Sequence, residues 1–257
     1  MDRHRWNSLA KLVAITVMCL SISVSCAQAA SSLPDTDQDG IPDAWETSVY
    51  GTDPLRVDTD EDTYADRSEI LNGYQPNGSA RLVEADHDRD GLSDRLELLF
   101  ETDPTLPDTN ANGKLDGQEI RSGMSATSTV PFILQKSLFI SLKKQQLEMR
   151  VNNVAIATHP VSGGLPRTPT PVGTFKILQK HPRAWSNSAK LWMPYWMHFS
   201  GRGHGLHELP EWPGGRKEGE NHLGRPASHG CVRLGIGAAK AVYDWSPVGT
   251  PVVISKL

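Results

Sequence analysis

Cysteine is nearly absent from this chain: there are three in 257 residues, Cys19, Cys26 and Cys231. The first two fall in the opening stretch MDRHRWNSLAKLVAITVMCLSISVSCAQAA. Its basic start (Arg3, Arg5, Lys11), its apolar run from Leu12 to Val24 and the small residues AQA at 27–29 follow the order of a secretory signal. A retained anchor and a lipidated junction at Cys26 are the alternatives; against the junction, Ser23 stands where such junctions favour Leu. A long hydrophobic run is also missing: Leu12–Val24 is short and weakly apolar for a membrane span. With 1–29 as signal peptide, the expectation is export across the inner membrane to the periplasm or cell envelope, with no transmembrane segment in the mature chain. That chain keeps one thiol and has no partner for an internal disulfide. A lone thiol in an oxidising compartment is a liability, and reactivity is one reason to retain it.

Positive charge is scarce in the first half of the mature chain and negative charge in the second. Residues 31–120 hold 16 Asp and 7 Glu against 5 Arg and 1 Lys, whereas 121–257 hold 17 Lys plus Arg against 6 acids. A near-neutral total of −4 therefore hides halves of −17 and +11. Acid at that density repels itself unless counter-ions occupy it. The division predicts a repeat module over 30–120, a linker over 121–131 (RSGMSATSTVP, small and polar with a proline) and a second domain over 132–257. No nucleic-acid partner is expected.

The acidic half is an internal repeat. DTDQDGIPDAWE (35–46), DTDEDTYADRSE (58–69), DHDRDGLSDRLE (86–97) and DTNANGKLDGQE (108–119) align without gaps. Alternating carboxylates with a closing Glu at position 12 form the oxygen-ligand pattern of a calcium loop, because hard Ca²⁺ takes six to eight oxygens. The candidate ligands are Asp35, Asp37, Asp39, Ile41, Asp43 and Glu46; Asp58, Asp60, Asp62, Tyr64, Asp66 and Glu69; Asp86, Asp88, Asp90, Leu92, Asp94 and Glu97; and Asp108, Asn110, Asn112, Lys114, Asp116 and Glu119. Ile41, Tyr64, Leu92 and Lys114, at position 7, would contribute backbone carbonyls. Position 6 needs a sharp bend, supplied by Gly40, Gly91 and Gly113; the second loop has Thr63 there and is expected to be the weakest site. Loops recur as pairs starting at 35 and 86, each loop leading into one short helix. The units resemble thrombospondin type 3 repeats and related bacterial calcium repeats. Structural Ca²⁺ is the implied cofactor; an acidic solvated tail is the alternative.

The basic half reads as strands. FISLKKQQLEMRVNNVAIATHPVSGG gives strand, turn, strand, turn, strand, with Asn152-Asn153 as a hairpin turn. TPTPVGTFKIL, LWMPYWMHFSG and GTPVVISKL add more, and GIGAAKAVYDWSP is the one clear helix. The expected fold is two modules: calcium-loop repeats with short helices, then a mainly-β domain. Within it, ASHGCVRL (227–234) places Cys231 after His229-Gly230, and GRGHGLHELPEW supplies His204 and His207. The cysteine could be a nucleophile with a histidine base, a zinc ligand beside His204, His207 and His229, or a small buried residue.

Residues 132–257 resemble the L,D-transpeptidase catalytic-domain family, through ISLKKQQLEMRVNNVAIATHPVSGG, RTPTPVGTFKI, LGRPASHGCVRLG and GTPVVI. The family pattern of a histidine, a variable loop, then Ser/Thr-His-Gly-Cys-x-Arg/Asn is met by His207 and by Ser228, His229, Gly230, Cys231 and Arg233. There are two departures: Glu208 follows His207 where the family has Gly, a dipeptide met instead at His204-Gly205, and the loop 208–227 is long. The resemblance implies a mainly-β L,D-transpeptidase-like fold and acyl transfer on peptidoglycan stem peptides. Cys231 would be the nucleophile and His207 the base. His229 and the turn amides would position the site and hold the oxyanion, and Arg233 would bind a carboxylate or brace the loop. No cofactor is implied for catalysis. The acceptor is a stem-peptide amine, a lysine of an envelope protein, or water, which would make the enzyme an L,D-carboxypeptidase. A calcium-dependent wall-binding module with secondary catalysis is the remaining alternative.

Overall fold

In each acidic loop the first Asp bends the chain back on itself. Its Oδ2 accepts the position-6 amide four times over: Gly40 N to Asp35 at 3.1 Å, Thr63 N to Asp58 at 2.8 Å, Gly91 N to Asp86 at 3.0 Å and Gly113 N to Asp108 at 2.7 Å. The donor residue sits at positive φ each time, Thr63 included at 85°. Thr63 thus adopts the bend that glycine takes without a side-chain clash. The computed structural model describes residues 33–257, so the stretch expected to be a signal peptide, with Cys19 and Cys26, lies outside the described residues. Each loop feeds a short helix: α1 (Asp43–Trp45, continued by a π-turn over Glu46–Tyr50), α2 (Asp66–Asn72), α3 (Asp94–Phe100) and α4 (Asp116–Ser122). A small hairpin, β1 (Tyr74–Gln75) and β2 (Gly78–Arg81), separates the two loop pairs.

Few apolar residues serve this module, and they are used fully. Ile41, Ile70 and Leu98 form one buried cluster with Trp45, Tyr50, Leu71 and Leu82 around it. The second cluster, Leu92, Leu96, Ile120, Ala126, Leu134 and Val151 with Trp245 against it, crosses into the basic half. The stretch 121–131, expected to be a linker, is accordingly packed. Ala126 is buried, Ser125 N donates to Phe132 O at 2.8 Å, Leu134 N to Gly123 O at 2.8 Å, and Trp245 Nε1 to Arg121 O at 2.7 Å. Small residues were needed there for close packing, not for slack, and Leu33–Leu257 is one compact unit.

The basic half is a nine-stranded mixed sheet: β3 (Lys136–Ser141), β4 (Gln146–Val151), β5 (Val154–Ser162), β6 (Gly173–Lys176), β7 (Gln179–Ser186), β8 (Leu191–His198), β9 (Gly205–Glu208), β10 (Val232–Leu234) and β11 (Pro251–Ser255). Their spatial order is β6-β11-β3-β4-β5-β10-β9-β8-β7. Asn152 and Asn153, both at positive φ, make the β4–β5 hairpin turn. Strand β7 carries Pro182, which hides its strand character in the sequence; it lies at the sheet edge, where a missing N–H is tolerated. Helix α5 (Ala238–Trp245) packs on β8, β9 and β10 through Ala239 and Val242. No helix among the described residues is long and apolar enough to cross a membrane.

Candidate active site and candidate metal loops

Strands β9 and β10 run parallel, with Leu206 opposite Val232 and His207 opposite Arg233. Alternation sends Leu206 and Val232, both fully buried, into the core, and Gly205, His207, Cys231 and Arg233 to the other face. There His207, Cys231 and Arg233 line one cavity of about 480 Å³ with Trp196, His204 and His229. Trp196 reaches that face from β8 just after Tyr195, which sits at φ 52°; the pairing with β7 keeps one register across it, Arg183↔Pro194 and His181↔Trp196. The Trp196 ring then lies 5.8 Å from that of His207. A Cβ on residue 205 would come within 2.6 Å of the Trp196 ring, so only glycine fits there.

His207 is buried, and its Nδ1 lies 2.5 Å from the Glu208 carbonyl oxygen. A carbonyl only accepts, so Nδ1 carries the proton and Nε2 keeps its lone pair. Burial, with a smaller push from the Arg233 charge, lowers the imidazole pKa to about 4, against the favourable bond to Glu208. Cys231 is half-buried and free. Burial raises its thiol, while the Gly205 amide donating to sulfur and the Arg233 charge pull the other way. At neutral pH the resting pair is therefore thiol and neutral imidazole.

The turn before Cys231 is clamped by Ser228, whose hydroxyl donates to Cys231 O at 2.5 Å and accepts Gly230 N at 3.1 Å. The Gly230 amide is thus engaged and is no oxyanion donor, a correction to its expected role. Its φ of 111° and the nearby His204 ring, 2.8 Å from where a Cβ would sit, explain the glycine. Ser228 N in turn donates to Gly163 O at 2.9 Å. His204 Nδ1 lies 2.8 Å from Ser200 Oγ, and His229 is exposed at the rim. Arg233 Nη1 grips Glu218 at 2.9 and 3.1 Å, which ties down the 208–227 loop; of its two expected roles the structure shows bracing. Sequence reading missed Trp196, Gly205 and Gly163. A glycine pair ending a strand was the available sign for the last.

The L,D-transpeptidase catalytic-domain family model matches residues 135–254, and the bacterial TSP3 repeat matches 35–57 and 86–107. The Bacillus subtilis (strain 168) protein YciB, assigned as an L,D-transpeptidase, is 35% identical over 135 residues, 49% of this chain and 69% of that one. This chain belongs to the L,D-transpeptidase catalytic-domain family. A second B. subtilis protein so assigned, YkuD, is 23% identical over 147 residues, 53% of this chain and 80% of its own. A solved L,D-transpeptidase from Mycobacterium smegmatis is 23% identical with a TM-score of 0.42, over 48% of this chain and 59% of that chain. The chain thus spans about three fifths of that solved relative.

Outside the family domain, three loops gather carboxylates. Ligand atoms of Asp35, Asp37 and Asp39, of Asp58, Asp60 and Asp62, and of Asp86, Asp88 and Asp90 lie within 4.8 Å of one another. No cluster among the described residues joins Cys231 to the histidines. One oxygen of each central Asp accepts a loop amide, as Asp37 from Asp39 and Asp39 from Ile41. Buried oxygens without partners remain at Asp37, Asp39 and Glu46, at Asp58 and Glu69, and at Asp86, Asp88 and Glu97. Burial, then the neighbouring negative charges, raises Glu97 to about 9; Glu69 is raised to about 7 for the same causes.

Two expectations change. Asp43, Asp66, Asp94 and Asp116 are not among the clustered carboxylates. Each accepts the position-2 amide (Thr36, Thr59, His87, Thr109), and all but Asp94 also take the threonine hydroxyl. As first residues of their helices they clamp the loop through these bonds. The fourth loop closes on itself: Asn110 and Asn112 amides donate to Glu119 at 3.0 and 2.8 Å, leaving no orphaned oxygen there.

Proposed function

We propose that this chain is a cysteine-dependent L,D-transpeptidase of peptidoglycan stem peptides, acting in the periplasm or cell envelope. The observation that carries the reading is a tautomer-fixed neutral histidine and a solitary thiol facing one cavity from adjacent parallel strands. His207 Nε2 takes the thiol proton as Sγ attacks the carbonyl between the third stem residue, a diamino acid, and the terminal D-Ala. The Gly205 N–H favours the developing thiolate. Backbone amides at His229 and Cys231 serve the oxyanion, since Ser228 occupies that of Gly230. The proton passes to the leaving D-Ala amine, and a thioester remains. An acceptor amine, or water, then attacks the thioester, loses its proton to His207 and frees the thiol.

Purified protein incubated with wall fragments should yield new cross-links, or trimmed stem peptides, detectable by mass spectrometry. Cys231→Ala should yield neither while keeping a native circular dichroism spectrum. A carbapenem should add its mass to Cys231. Turnover by the alanine variant, or an adduct elsewhere, rules the mechanism out.

The acidic loops support a second element of the reading: they hold structural Ca²⁺. The orphaned buried oxygens fit a hard divalent ion, which would offset the crowded negative charge of the loops. Asp35, Asp37, Asp39 and Glu46; Asp58, Asp60, Asp62 and Glu69; and Asp86, Asp88, Asp90 and Glu97 would hold it.

A further inference from the structure

A cavity of about 620 Å³ opens beside the second acidic loop. Three elements build it: Asp62 and Tyr64 from the loop, Ser68, Glu69 and Asn72 from one side of α2, and Tyr74, Ser79 and Arg81 from the β1–β2 hairpin. The hairpin is foreign to the repeat. Loops start 23 residues apart within the first pair and 22 within the second, but 28 separate loop two from loop three.

The loop residue at position 7 tells the same story. Ile41 and Leu92 there are fully buried, whereas Tyr64 is 63% exposed. Tyr74 is 37% exposed, with the Arg81 guanidinium 4.1 Å from its ring centre, across the hairpin. Glu69 is 6% exposed, its Oε2 has no hydrogen-bond partner, and it borders the cavity. The carboxylate cluster of this loop is the most open of the three, with Asp60 and Asp62 exposed. Metal bound here would keep a face toward the cavity, because the protein supplies its oxygens from one side only.

The geometry points to a calcium-dependent saccharide site: ring hydroxyls complete the shell of the loop-two ion while the apolar face of the sugar lies on Tyr64. This rests on the calcium reading above. With Ca²⁺ present, the four carboxylates of Asp58, Asp60, Asp62 and Glu69, with Arg81, leave a net charge of about −1, which suits an uncharged hydroxyl-rich ligand better than a polyanion. Ser68, Ser79 and Asn72 supply hydroxyl and amide partners of the kind sugars use.

The test uses the full mature chain. Calorimetry with Ca²⁺ alone comes first, then titration of chito-oligosaccharide, peptide-free wall glycan and inorganic polyphosphate, each with calcium or chelator. Expected are saccharide binding that chelator abolishes and a loss of about tenfold or more in Tyr64→Ala, a surface change that leaves folding intact. Arg81→Ala should weaken binding as well. Calcium binding without saccharide binding overturns this site and leaves the calcium reading standing. No calcium binding overturns both. Saccharide binding unaffected by chelator or by Tyr64→Ala, or polyphosphate binding in its place, also overturns it.

Discussion

At the scale of single residues, the site depends on which proton sits where. Since Glu208 O fixes the His207 tautomer and burial holds the imidazole near 4, the base stays neutral far below the usual histidine range. A base must be unprotonated to act, so the acid limb of the acylation rate should fall near pH 4 and not near 6.5. The Cys231 thiol is raised above its ordinary 9.0, so alkylation of the free enzyme by iodoacetamide should still be climbing at that pH. A pH–rate profile and an alkylation series check both. His207→Ala should slow acylation by about a hundredfold or more, and His204→Ala much less. Ser228→Ala removes two hydrogen bonds from the turn and should cost about 1–3 kcal/mol of stability along with turnover. The residues gathered at the cavity, His207, Ser228, Cys231 and Arg233, were legible as short motifs in SHGCVRL and LHE. Trp196 was not, since it follows a left-handed backbone position at Tyr195 that strand alternation alone does not reveal.

At the scale of elements, the loops rank differently from their glycine content. Thr63 costs the second loop backbone strain, but the fourth has lost carboxylates at positions 3 and 5 and satisfies Glu119 with its own amides. The 108–119 loop is therefore expected to bind calcium most weakly, and Asn112→Asp should strengthen it in a calorimetric titration. The four loop-helix units could be read directly, since ligand spacing repeats. The clamp role of Asp43, Asp66, Asp94 and Asp116 could not, because a carboxylate at position 9 looks the same whether it faces inward or back along the loop. Strand β7 escaped notice for the reason its position explains: Pro182 is admissible only at an edge.

At the scale of the whole molecule, charge divides the chain where packing does not. Leu92, Leu96 and Ile120 share a cluster with Leu134, Val151 and Trp245, so residues 121–257 made alone would bare an apolar floor. That fragment is expected to melt below the full chain, and calcium should raise the melting temperature of the full chain, catalytic sheet included. Trp245→Ala, which removes the bond to Arg121 O and the packing around it, should cost about 2–3 kcal/mol and weaken that response in a thermal scan with and without chelator. Composition suggested a hinge at 121–131 because small polar residues serve linkers and tight turns alike.

That seam also has a mechanical meaning. A molecule with a slack tether lets its two ends point anywhere, and a pull on one end only straightens the chain. Here the segment after α4 is hydrogen-bonded to itself and the last turn of α4 is tied to the end of α5, with no spare length to pay out. Whatever surface grips the loops would therefore fix the direction in which the Cys231 cavity opens, and a load applied there would reach the sheet through Trp245 as through a stiff handle.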